Sequence, residues 1–354
     1  MNELPDIQPR RKMPRWLLQA VGYCLSAACL AWVLHGYPLG DLALALKSLE
    51  WRWVLLAVVA DLTVYVCHGW RWQVLLSPLV RLPLWRTVQA IYIGLFANEV
   101  LPLRSGEVIR CYLLAHWNSM QLSVVFASAA LERIIDGFWM VGAFLATAGF
   151  VRGIPWELVL LVRIIGGLLI LGAAVLLWIV FHKQHAHSVV RESRWAAGLR
   201  HVVEGLHVMG NGRTLGQTSM VSLLYLALQI FSVYALMRAY GLDLSIWAAA
   251  GVLTIVRFGT VVPNAPGNLG LFQAACVLAM GLFDVERNDA KTFSFVMFSA
   301  LTLPLLIGGA VAVAMTGLNI GELRDRARRG LEATAHKPAP PNRLDRKPAS
   351  PGAD

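Results

Sequence analysis

The chain has 354 residues, of which 57% are hydrophobic and only 15% charged, with a net charge of +10. Soluble domains carry roughly 25% charged residues, so this composition excludes an ordinary soluble enzyme and a disordered protein. The basic balance in so apolar a chain points to an anionic membrane surface or lipid rather than to nucleic acid.

A membrane helix needs about 20 mostly apolar residues. Trp16–Leu34 is uncharged, follows Arg10, Arg11 and Lys12, and reads as an uncleaved first span after a basic N-terminus at 1–15. A second span is expected from Trp53 to Trp70, with one acid, Asp61. Val88–Leu103 then breaks at Pro102 and resumes over Gly106–Trp117. Leu122–Val151 is a third span interrupted by charge, and Leu158–Phe181 and Thr214–Met237 are the fourth and fifth. Leu244–Val262 breaks at Pro263 and resumes over Leu269–Phe283, and Phe293–Leu318 is the sixth. Short apolar arms around a Pro/Gly break suit re-entrant hairpins, the alternative being kinked helices. The expected fold is therefore an all-α integral membrane protein of about six spans and two re-entrant hairpins, over 16–318.

Of the 31 Lys and Arg, 22 fall on one side of this arrangement and 6 on the other; Arg133, Arg163 and Arg257 lie in membrane segments. The positive-inside rule then puts both termini in the cytoplasm. The tail at 319–354 carries Arg324, Arg326, Arg328 and Arg329 and then five prolines; it reads as basic and disordered, its arginines on anionic headgroups. His182, His185 and His187 read as a solvated loop rather than a metal site, and the five scattered cysteines as neither disulfides nor a metal cluster. Trp85, Trp117 and seven other tryptophans, Trp72 among them, fall near segment ends, as in an interfacial aromatic belt.

The two breaks match as Pro-x-x-x-Gly followed by a polar residue, Pro102 to Gly106 and Pro263 to Gly267, with Pro266 and Gly270 also in the second. The order span, span, broken hairpin, span occurs twice, in halves of about 16–151 and 158–318, with the hairpin mouths on opposite sides. This is the pattern of an inverted-topology repeat. Helix N-termini at Gly106 and Gly267 would offer free N–H groups to an anion.

Charges inside membrane helices are costly, and each is a functional hypothesis. Arg104, Glu107 and Arg110 surround the first break, Glu132, Arg133 and Asp136 fall in the third span, and Arg257 precedes the second break. In the ligand reading these arginines neutralise a lipid phosphate, while Glu107, Glu132 and Asp136 orient them or meet a cationic headgroup. In the other reading they form an ion-pair network with no ligand. Asn98, Asn264, Asn268 and Gln273 either join that site or cap freed backbone groups. No GxSxG, P-loop or HExxH motif occurs, so neither a hydrolase nor an ATP-driven pump is expected, and no cofactor.

The segment Asn98-Glu-Val-Leu-Pro-Leu-Arg-Ser-Gly-Glu-Val-Ile-Arg110 resembles the N-x-x-L-P-x-R-x-G-E-x-x-R segment of the lysylphosphatidylglycerol synthase transmembrane-region family. Leu131-Glu-Arg-Ile-Ile-Asp136-Gly and Val262-Pro-Asn-Ala-Pro-Gly-Asn-Leu-Gly-Leu-Phe-Gln273 resemble two further segments of it. Gln273 stands where the family pattern has an acid and Asn268 where it has a glycine, and the last span has no arginine before Pro304. The resemblance implies a stand-alone flippase-like domain without an aminoacyl-transferase domain, which moves a polar or anionic lipid across a bacterial inner membrane. Two alternatives stand beside it. One is a non-transporting scaffold for an enzyme of lipid or glycan (for example hopanoid) biosynthesis. The other is an intramembrane lipid-modifying enzyme using the buried acids.

Overall fold

The computed structural model describes residues 15–35, 37, 39–101, 105–151, 153–181, 209–261, 265–317 and 320–336. The expectations for Pro102, Arg104, Pro263, Asn264 and the histidine loop at 182–187 lie outside these. The described residues form twelve α-helices. These are α1 (Arg15–Leu34), α2 (Leu39–Ser48), α3 (Trp51–Leu76), α4 (Leu84–Val100), α5 (Gly106–Trp117), α6 (Leu122–Phe150), α7 (Trp156–Phe181), α8 (Gly212–Ala239), α9 (Ile246–Gly259), α10 (Leu271–Gly281), α11 (Arg287–Ala314) and α12 (Ile320–His336). A 3-10 turn, Pro266–Asn268, precedes α10.

Four helices are long and apolar enough to cross a bilayer: α3, α7 over Trp156–Ala174, α8 and α11. The expected count of six is thus met by four on length and composition, while α1 and α6, with 20 and 29 residues, are the other expected spans. The second span is longer than its apolar run suggested: α3 continues past Trp70 to Leu76 and carries Arg71 inside the protein.

The segments around both breaks are helical arms packed side by side, α4 with α5 and α9 with α10. At 1.5 Å per residue, the 17, 12, 14 and 11 residues of these arms reach only about 16–25 Å, short of a hydrocarbon core of about 30 Å. Such arms must satisfy their own ends. Gly106 N–H donates to Asn98 Oδ1 at 2.9 Å, and Gly270 N–H to Gln273 Oε1 at 2.8 Å. Ala265 N–H donates to Ser26 Oγ of α1 at 2.9 Å. The second turn reverses through positive φ at Gly267 (75°), Asn268 (54°) and Gly270 (86°), a region glycine enters without strain and asparagine tolerates.

Close backbone approach sets the hairpin geometry. A Cβ on Gly106 would lie 1.8 Å from Gly94 O, and one on Gly270 2.1 Å from Ser26 O. The hairpins also meet each other, because α4 packs against the Pro266–Asn268 turn. The centre of the molecule is the α3–α8 pair, where Ser232 Oγ donates to Ala57 O at 2.8 Å.

The segment at 320–336, expected to be disordered, is a helix. It packs on α5 and α6, and its buried Ala327 clusters with Ile93, Ile109 and Ala312 of α4, α5 and α11. Its small residues allow contact: a Cβ on Gly330 would lie 2.9 Å from the Tyr112 ring. Trp72 is likewise no belt residue. It is fully buried and donates from Nε1 to Ser128 Oγ at 2.9 Å.

The glycine contact at the first hairpin is testable. Gly106→Ala should destabilise the protein by more than about 3 kcal/mol, since a backbone carbonyl cannot move aside as a side chain can. Gly142→Ala, where nothing lies within 4 Å, should stay within about 0.5 kcal/mol. Unfolding midpoints in detergent compare the two, and equal midpoints would refute the tight approach.

Candidate functional site

Three helices deliver charge to one buried point. Glu132 of α6 is wholly inaccessible and accepts from Arg71 Nε of α3 and Arg110 Nη1 of α5, both at 3.3 Å. Arg71 also donates to both oxygens of Asp136 and, at 3.2 Å, to Ser222 Oγ of α8. Arg110 Nη2 lies 2.7 Å from Glu107 Oε2, one turn away on α5. Aromatic faces complete the cage, with the Arg71 guanidinium 4.9 Å from the Tyr225 ring and that of Arg110 4.6 Å from Trp72. His68 Nε2 lies 3.7 Å from Glu132 Oε2, with its ring against Tyr225.

This arrangement shows what several of the expected site residues contact. Arg110 and Glu132 are 1% and 0% exposed and spend their charge on each other and on Arg71 and Glu107. They form a buried ion-pair network. Asn98 and Gln273 are backbone caps, as described, although Gln273 Nε2 is buried without a hydrogen-bond partner. Gly267 lies beside Glu99 of α4: a Cβ there would be 3.6 Å from Glu99 Oε2.

The remaining members face space. A cavity of about 250 Å³ opens between α6, α8 and α9, lined among others by Arg133, Asp136, Ser222, Tyr225, Gln229 and Arg257. The Arg133 side chain is 51% exposed and only 4.0 Å from Asp136 Oδ2. Arg257 is exposed into the same space. Asp61, Asp136, Tyr65 and Tyr225 are within its electrostatic reach, yet no described carboxylate comes within 4 Å of it. Asp61 is buried on α3 and keeps Oδ2 without a hydrogen-bond partner.

Sequence reasoning missed His68, Arg71, Ser222 and Tyr225. A signal existed for the first two: Asp61, Tyr65, His68 and Arg71–Trp72 recur at helical spacing along one stripe of α3. Ending the second span at Trp70 hid it, because Arg71 then falls in a loop. Ser222 and Tyr225 carry no signal, being ordinary residues of an apolar helix until the fold brings Arg71 to them.

Removing one partner from a buried ion pair leaves the other charge uncompensated, at about 3–5 kcal/mol. Glu132→Ala should therefore lose about that much stability and Arg133→Ala, on the open side, less than about 1 kcal/mol. Chemical unfolding in detergent measures both, and similar losses would contradict the division between buried network and open cavity.

Comparison with known proteins agrees with this architecture. The family described as the lysylphosphatidylglycerol synthase TM region matches residues 19–309. A UPF0104 membrane protein of Methanothermobacter thermautotrophicus is 21% identical over 320 residues, covering 80% of this chain and 91% of the relative. A second UPF0104 membrane protein, MJ1078 of Methanocaldococcus jannaschii, is 22% identical, covering 58% and 92%. The glycosyltransferase AglD of Haloferax volcanii is 25% identical over 288 residues, covering 67% of this chain and 45% of the relative. The chain is thus a multi-pass membrane protein that belongs to the lysylphosphatidylglycerol synthase TM region family.

Proposed function

We propose that this protein moves a lipid with an anionic headgroup between membrane leaflets through the cavity between α6, α8 and α9. The observation that carries the reading is Arg257: a guanidinium within the apolar part of the chain, open to a cavity and without a described carboxylate within 4 Å. A charge so placed is expensive unless a ligand or water answers it. A guanidinium is opposite in charge to a phosphodiester, and its planar fork can donate two parallel hydrogen bonds to the two non-bridging oxygens. Asp136, Ser222, Tyr225 and Gln229 add polar contacts for the headgroup, while the acyl chains stay in lipid.

The reading takes the two hairpins as counterparts in an inverted repeat, which would let the halves rock about the cavity. It takes the membrane as a bacterial inner membrane with both termini cytoplasmic, in line with the Lys and Arg distribution. The protein is then no enzyme, and the drive comes from a lipid gradient, protons or the membrane potential.

The similarity to a glycosyltransferase favours a second reading, an accessory membrane partner in a lipid or glycan pathway. One assay separates the two. Purified protein is placed in liposomes with headgroup-labelled phosphatidylglycerol, its lysyl form and a neutral lipid, and inner-leaflet label is followed as it meets a membrane-impermeant quencher. Translocation predicts accelerated transfer, slowed about tenfold or more by Arg257→Gln. The control Arg163→Gln, on the exposed face of α7, should leave the rate unchanged. Folded protein that accelerates no lipid would refute translocation and favour the accessory role.

A further inference from the structure

A second cavity, of about 380 Å³, lies away from the first, where the ends of α4, α5 and α11 meet α12. Its wall holds Trp85 and Arg86 of α4, Tyr112, His116 and Trp117 of α5, and Arg326 of α12. The Arg86 guanidinium sits between two rings, 5.0 Å from Trp85 and 5.8 Å from Trp117. Tyr112 and His116 stack at 5.6 Å, one turn apart. Neither Arg86 nor Arg326 has a described carboxylate within 4 Å, whereas Arg71, Arg110 and Arg238 each do.

The placement of Arg326 is built rather than incidental. Its neighbour Ala327 is fully buried among Ile93, Ala97, Ile109, Leu113 and Ala312. Gly330, one turn on, lets α12 lie against Tyr112. This buried stripe holds α12 on the bundle and keeps Arg326 at the cavity wall. Across the cavity, Gln89 Nε2 donates to Ala312 O at 3.2 Å and ties α4 to α11. Tryptophans at helix ends mark a membrane–water interface, so the pocket opens where headgroups lie.

We infer that this cavity is a separate phosphate-binding site, in which Arg86 and Arg326 clasp a phosphate monoester between aromatic walls. Two guanidiniums suit a group carrying more than one negative charge, and the rings pack against the carbon skeleton attached to it. The phosphate is supplied either by a lipid headgroup such as phosphatidate or by free phosphate in solution. The site shares no lining residue with the cavity of Arg257 and does not depend on translocation.

The test uses the full chain in phosphatidylcholine nanodiscs doped with phosphatidate, with retained lipid read by native mass spectrometry. The wild type should retain phosphatidate in preference to phosphatidylcholine. Arg86→Gln and Arg326→Gln should each lower that retention about tenfold. Arg326 is exposed on α12, so its replacement removes charge without disturbing packing. Arg329→Gln, equally exposed on α12 but outside the cavity, should leave retention unchanged. Displacement by added inorganic phosphate identifies a soluble source, and resistance to it a lipid source; both sustain the site. Equal retention of the two lipids by the wild type, or equal losses in Arg326→Gln and Arg329→Gln, would overturn it.

Discussion

Glu132 has no contact with solvent, and its two oxygens receive guanidinium groups from different helices. Taking an ion out of water costs several kcal/mol even after relaxation, and attraction repays it only when geometry and hydrogen bonds are complete. The constraint reaches well beyond one residue. Arg71 fixes α3 to α6 and, through Ser222, to α8, and Arg110 fixes α5 to α6. A 12-residue arm that cannot span a bilayer thereby has a fixed attachment at a third helix. Arg71, Arg110 and Arg133 balance Glu107, Glu132 and Asp136, so the cluster as a whole carries no net charge into the apolar region.

Irregular backbone is the second demand, and the two hairpins answer it differently. Each break is capped by an amide side chain, Asn98 before the first and Gln273 after the second. The first hairpin then closes on itself, Gly106 against Gly94, whereas the second closes on α1, Gly270 against Ser26. α1 is therefore part of the second break, supplying a hydroxyl to Ala265 N–H and a surface that admits only glycine. The two breaks share the chemistry of their caps more than their surroundings.

Most of the helical plan was legible because apolar runs, Pro/Gly breaks and isolated charges are written directly in the chain. The members of the charge cluster on α5 and α6 were legible for the same reason. Their partners were not. Arg71 sits beside Trp70 and Trp72, where an apolar window reads the end of a span, and only the α3–α6 contact shows that the charge stays inside. The helix at 320–336 was misread because arginines dominate its composition, whereas a stripe of small residues, Ala327 and Gly330, decides its packing. For Asn98 and Gln273 polarity at a break has two explanations, and the hydrogen bonds show the capping one.

Arginine identity alone does not separate scaffold from site; the distance to the nearest carboxylate and access to open space do. Arg71 and Arg110 are ion-paired and closed. Arg257 is open and has no described carboxylate within 4 Å, and the same holds for Arg86 and Arg326 at the other cavity. Around Glu132 the buried arginines Arg71 and Arg110 each meet carboxylates, in contrast to these accessible arginines. Under both proposals, the negative charge that answers these accessible arginines comes from a bound phosphate. In an apolar environment, phosphate-bearing lipid is the abundant source of that charge.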